Sequence, residues 1–170
     1  MKRKHLCLIA AAAIILPLIY SCKKETKTSP VQIYLTDNPA VYDSVNVHIK
    51  NIVVNVQQDS EGWIPINTKD TIVNLLDLQN GITVLLGDDV VPQGMLKEVR
   101  FILGDGNYVV VNGVRYPMQT PSAESSGLKI KIDKPLNDVF NAFILDFDAA
   151  KSILPENGGY KLDPVIRLTQ

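Results

Sequence analysis

The chain has 170 residues, with 17 basic against 18 acidic side chains, two histidines and two cysteines. That length supports one domain with a proper core, and a near-neutral charge with no basic stripe argues against nucleic-acid binding. Both cysteines, Cys7 and Cys22, fall within the first 22 residues, so the chain beyond them has no disulfide, cysteine nucleophile or cysteine-ligated zinc.

The N-terminus has three parts: a basic start (Lys2, Arg3, Lys4), an apolar run from Leu6 to Ile19, and the small residue Ser21 before Cys22. This is the layout of a secretory signal peptide. The run of 14 residues falls short of the roughly 18–20 needed to cross a bilayer as a helix. Ile19-Tyr20-Ser21-Cys22 resembles the lipobox of bacterial lipoproteins, which implies cleavage after residue 21 and acylation of Cys22. The expectation is therefore a signal peptide over 1–21, a lipidated Cys22 with a flexible tether over 22–29, and a folded domain over 30–170. Removing the leader takes three basic residues and no acidic one, leaving 14 basic against 18 acidic. Lys23-Lys24-Glu25 lacks the Asp that signals inner-membrane retention, so the predicted location is the outer membrane of a cell envelope.

Beyond Pro30 the pattern is short β-branched and aromatic runs divided by turn signals. Val31, Ile33 and Leu35 alternate with polar residues and stop at Asp37-Asn38-Pro39. Val45, Val47 and Ile49 alternate likewise, and then Ile52, Val54 and Val56 carry the apolar phase on even numbers. Such a slip predicts a β-bulge near Asn51, since the pleat repeats every second residue. Gly62 to Ile66 reads as an edge strand, because Pro65 lacks a ladder donor. Thr71 to Leu86 fits strand, helix or a mixture. Val99 to Leu103, Tyr108 to Val111 and Val114 to Tyr116 read as strands, the last two joined by the hairpin signal Asn112-Gly113. Leu128 to Ile132 alternates again. Phe140 to Phe147 is nearly continuous in apolar residues and predicts a central strand. Asp148 then caps a short helix, Ala149 to Leu154, ended by Pro155, and Tyr160 to Leu168 closes the chain. About nine strands and one helix predict an all-β antiparallel sandwich.

Several segments resemble DUF4382, a domain of unknown function found on bacterial lipoproteins. They are Ile33-Tyr34-Leu35-Thr36-Asp37-Asn38-Pro39-Ala40 with Tyr42-Asp43, Leu75 to Gly81, Val91 to Gly94 before Val99-Arg100-Phe101, and Ser126 to Lys129. Leu145 to Ala149 and Leu162 to Arg167 complete the set. Gln93 and Met95 depart slightly from the pattern. The resemblance implies a β-sandwich, transthyretin-like, on an envelope lipoprotein, and it brings no catalytic residues.

The chemistry available is sparse. His48, the sole histidine past residue 5, falls on the polar side of a strand and reads as a solvated sheet residue rather than a triad member or metal ligand. Asp146 and Asp148 are two apart in extended chain and can share a side. With Asp37 they are the candidates for calcium or for carboxylate hydrolysis of a polysaccharide, against the plainer role of turns and caps. Asp43, Asp88, Asp89 and Asp105 lie in similar places. Trp63 is the candidate platform for stacking a sugar. The polar loop 120–127 reads as recognition loop or connector. The reading that follows is a non-catalytic, lipid-anchored envelope module that binds a glycan or a protein partner. The alternatives are a carboxylate-dependent hydrolase and a structural assembly subunit or spacer.

Overall fold

The computed structural model describes residues 27–56, 62–120 and 127–169. The leader, Cys22, most of the tether and residues 121–126 of the polar loop lie outside the described residues. Described strands are β1 (Thr28–Thr36), β2 (Ser44–Asn55), β3 (Trp63–Thr68), β4 (Thr71–Asn74), β5 (Val84–Pro92), β6 (Met95–Leu103), β7 (Tyr108–Val111) and β8 (Val114–Gln119). They continue with β9 (Leu128–Pro135), β10 (Asn141–Phe147), β11 (Ile153–Glu156), β12 (Gly159–Leu162) and β13 (Ile166–Leu168). A 3-10 turn spans Leu75–Leu78, and the one described α-helix, α1, spans Ala149–Ser152.

The protein is mostly β with a single short helix. Its thirteen described strands are joined by hydrogen bonds into one curled sheet, a half-barrel. The alternation of apolar residues predicts a two-layered sandwich. Period-two burial is the same for both shapes, because either one buries a single face of every strand.

β2 is the hub. Its start pairs with β7 and β4, and its far half pairs with β3 and β6. The register slips between Ile49 and Asn51, where Lys50 is the extra residue. That bulge lets Val45, Val47, Ile49, Ile52 and Val54 all reach the core at 0% exposure. β10 lies between β1, its parallel neighbour, and β13, as its apolar run predicts. β3 meets β5 only at Asn67 and Thr68, so Pro65 occupies an edge stretch where its missing N–H costs nothing. Asn112 and Gly113 turn the β7–β8 hairpin with φ of 51° and 75°.

Three local readings change. β1 starts at Thr28, inside the stretch expected as tether. The segment after Asp70 resolves into β4, the 3-10 turn and β5. The helix stops at Ser152 and the chain continues as β11, in which Pro155 pairs with Tyr160. Asn157 and Gly158 at φ of 45° and 80° turn that second hairpin, dividing the expected last strand into β12 and β13.

Phe101, Phe147, Leu35, Ile52, Leu75, Leu96 and Leu145 are fully buried at the centre. Each contributes about 1.5–3 kcal/mol by leaving water.

Candidate functional site

The ends of β1, β10 and β13 converge on a cleft of about 450 Å³ lined by Asp37, Asn38, Asn80, Asp146, Arg167 and neighbours. β1 and β10 run in parallel register with Thr36 beside Asp146, and β13 sets Arg167 opposite Asp146. Asp146 Oδ2 accepts from Arg167 Nε at 2.9 Å, from the guanidinium terminus at 2.8 Å and from Asn38 Nδ2 at 2.6 Å. Asp37 Oδ1 accepts from the Ala149 N–H at 2.9 Å, bracing the start of α1.

The second oxygens differ. Asp37 Oδ2 and Asp146 Oδ1 are buried without a hydrogen-bond partner. Burial pushes the Asp37 carboxyl up to about 6, and the nearby Asp146 charge adds to it, against the stabilising Ala149 N–H and the Gln79 side chain. The Gln79 amide is close enough to favour the carboxylate, yet Gln79 Nε2 itself has no hydrogen bond of acceptable geometry.

One carboxyl raised and its neighbour held by an arginine is the arrangement from which acid–base pairs are made. Access decides what it can do. Asp37 is 4% exposed and Asp146 3%, so the pair lies under the cleft floor. A general acid must come within about 2.6–3.2 Å of the bond it protonates. Two of the threonines are also engaged: Thr36 Oγ1 lies 3.0 Å from the Leu78 carbonyl and 2.9 Å from that of Ile82, and Thr169 Oγ1 donates to that of Ile144.

Asp148 is not in this cleft. It caps α1 by accepting the Lys151 N–H at 3.1 Å, and it pairs with the Lys151 ammonium at 2.6 Å. The lysine holds its carboxyl below the usual range. The three proposed calcium ligands are thus divided between Ala149, Arg167 and Lys151. Among the described residues no group of three or more His, Cys, Asp or Glu side chains gathers in a metal-holding arrangement.

A second cleft of equal size, about 450 Å³, lies between β8 and the β11–β12 hairpin. Tyr160 pairs with Met118 in parallel register and with Pro155 across the hairpin. Its ring meets Tyr116 edge-on at 5.3 Å between centroids and Tyr42 at 6.4 Å. Gln119, Glu156 and Asn157 are exposed along the rim. A further depression of about 360 Å³ shares Tyr116, Tyr160 and the hairpin. Trp63 is placed differently: the Arg100 guanidinium covers one ring face at 3.9 Å from the centroid.

His48 is half-buried and bonded rather than freely solvated. Its Nε2 is 2.6 Å from Asp70 Oδ1 and its Nδ1 is 3.0 Å from the Asp105 carbonyl. Both partners are acceptors, so the two bonds require the imidazolium. The Asp70 bond, then the Asp105 carbonyl, raise its pKa above the ordinary value.

The sequence reading missed Arg167 and Asn38 as partners of Asp146, and Tyr116 with Tyr160 as a surface. A signal existed only for the latter. Asn157-Gly158 is the same hairpin dipeptide that was recognised at Asn112-Gly113, and it would have faced Tyr160 with Pro155.

Fold and clefts together define, among the described residues, a β-rich domain built on a half-barrel sheet. The chain belongs to the family described as a domain of unknown function (DUF4382), whose model matches residues 28–164. No curated protein and no solved structure matches it.

Proposed function

We propose that the chain is a non-catalytic, lipid-anchored module of the bacterial outer membrane that holds a glycan in the tyrosine cleft. The observation that carries this reading is the pair Tyr116 and Tyr160, half-buried ring to ring and rimmed by Gln119, Glu156 and Asn157. A flat apolar ring stacks on a sugar face, and nearby carboxylate and amide groups bond its hydroxyls. The test is binding of the protein to an array of envelope and plant polysaccharides, followed by titration of the best binder. Tyr160→Ala and Tyr116→Ala should each weaken binding about tenfold, a loss of about 1.4 kcal/mol. Trp63→Ala should leave it unchanged. Binding that survives both tyrosine substitutions overturns the reading.

A second reading, a carboxylate-dependent hydrolase, is favoured by the raised Asp37 beside Asp146. The burial of both acids weighs against it. Release of reducing ends from a polysaccharide, abolished by Asp37→Asn, would establish it in place of the first.

A further inference from the structure

We propose that the end of the sheet where the chain enters β1 rests directly on a lipid bilayer surface. This deepens the anchor reading of Cys22 and depends on it. The starts of β1, β6 and β10 and the ends of β5 and β9 meet at this end. Lys27 is fixed there, because its carbonyl accepts the Gln93 N–H of the β5–β6 turn at 2.8 Å. Lys27 is five residues from Cys22, a reach of at most about 18 Å in fully extended chain. Acyl chains on Cys22 therefore keep this end within about 18 Å of the headgroups whatever path the linker takes.

The same end exposes apolar side chains: Val139 at 79%, Val90 at 58%, Phe140 at 51% and Met95 at 39%. Pro30 pairs with Val90, and Val31 pairs with Asn141, so Phe140, Pro30 and Val90 form a row across three adjacent strands. Such a row, with Pro30 and Val90 in β1 and β5 and Phe140 just before β10, is costly in water and suits the interfacial zone of a membrane. Among the described residues of this end, exposed Lys27 and Lys134 are offset by exposed Asp89 and Asp138. Apolar contact therefore carries the docking.

The orientation has a consequence for the rest of the domain. β2 ends at this face, with Val56 against Gly94, whereas its start pairs with β7, which in turn carries β8 and Tyr116. Docking leaves the tyrosine cleft on the half of the molecule away from the bilayer.

The test uses the lipidated product cleaved after residue 21, reconstituted into phosphatidylethanolamine–phosphatidylglycerol vesicles containing nitroxide-labelled lipid. Val139→Cys and, separately, Val114→Cys at the β7–β8 hairpin are labelled with a polarity-sensitive dye; the acylated Cys22 leaves no competing thiol. The label at 139 should be quenched several-fold more than that at 114. Quenching should persist when salt rises from about 0.1 M to 1 M, which shortens the screening length from about 10 Å to 3 Å. Equal, weak quenching on vesicles that carry the protein overturns docking and leaves the anchor standing. A protein that neither carries acyl groups on Cys22 by mass spectrometry nor floats with vesicles overturns both.

Discussion

The two clefts have the same volume, about 450 Å³, and opposite chemistry. In the first, the functional groups serve the fold: Asp146 is held by Arg167 and Asn38, Asp37 braces α1, and the threonines satisfy backbone carbonyls. In the second, two rings and three exposed polar side chains stand at the surface, and the backbone beneath is paired by ladders of its own. Size therefore does not identify a site; what matters is whether its polar groups brace the fold or stand at the surface. Asp37, Asp146 and Asp148 became framework, while an ordinary hairpin built the accessible surface.

The sharpest way to break that contrast is to unpair the first cleft. Arg167→Met leaves the Asp146 carboxylate buried with only the Asn38 amide among its side-chain donors, and it should cost about 3 kcal/mol in denaturant unfolding. Glycan binding measured where the variant is folded should be unchanged. A variant as stable as the parent would mean that Arg167 is free for a ligand.

Asp37 gives the next largest effect, with the opposite sign. Its folded pKa of about 6 lies above the ordinary 3.8, so between these values the folded state binds more protons than the unfolded one. Stability must then fall as pH rises through that window, by about 2–3 kcal/mol in total. Asp37→Asn should abolish the slope and raise the melting temperature at neutral pH, since an amide oxygen still accepts the Ala149 N–H. An unaltered slope would place the titration elsewhere.

Tyr160→Ala completes the comparison: a roughly tenfold loss of binding with the Asp37 pH slope retained. Loss of both together would show that the clefts are coupled.

The smallest effect belongs to His48. Its folded pKa is raised, so the stability it contributes is fully present below pH 6.5 and is lost as pH rises through the higher folded value. His48→Gln should remove that alkaline-side decline, read as melting temperature against pH, and leave the acid-side slope of Asp37 in place.

Much of this architecture is legible in the sequence alone. The slip from Val45, Val47 and Ile49 to Ile52 and Val54 located the β2 bulge, Asn112-Gly113 located a hairpin, Pro65 an edge, and Asp148 a cap. All four are local rules: side chains within a few residues of one another leave a pattern in the chain that carries them. The pairing of Asp146 with Arg167 and Asn38 was not legible, because it depends on β10 lying between β1 and β13, strands far apart in sequence.

Local pattern along the chain sets the β-rich class, the strand phases and turns, and the family resemblance that its motifs carry. Whether the strands would close as two layers or curl as one sheet was decided only by tertiary structure, since alternation reports which face is buried and not what buries it. Tertiary structure also decided the fate of each polar residue. An aspartate reads the same in the chain whether it meets water, an arginine or another carboxyl, and only long-range strand pairing chooses among them.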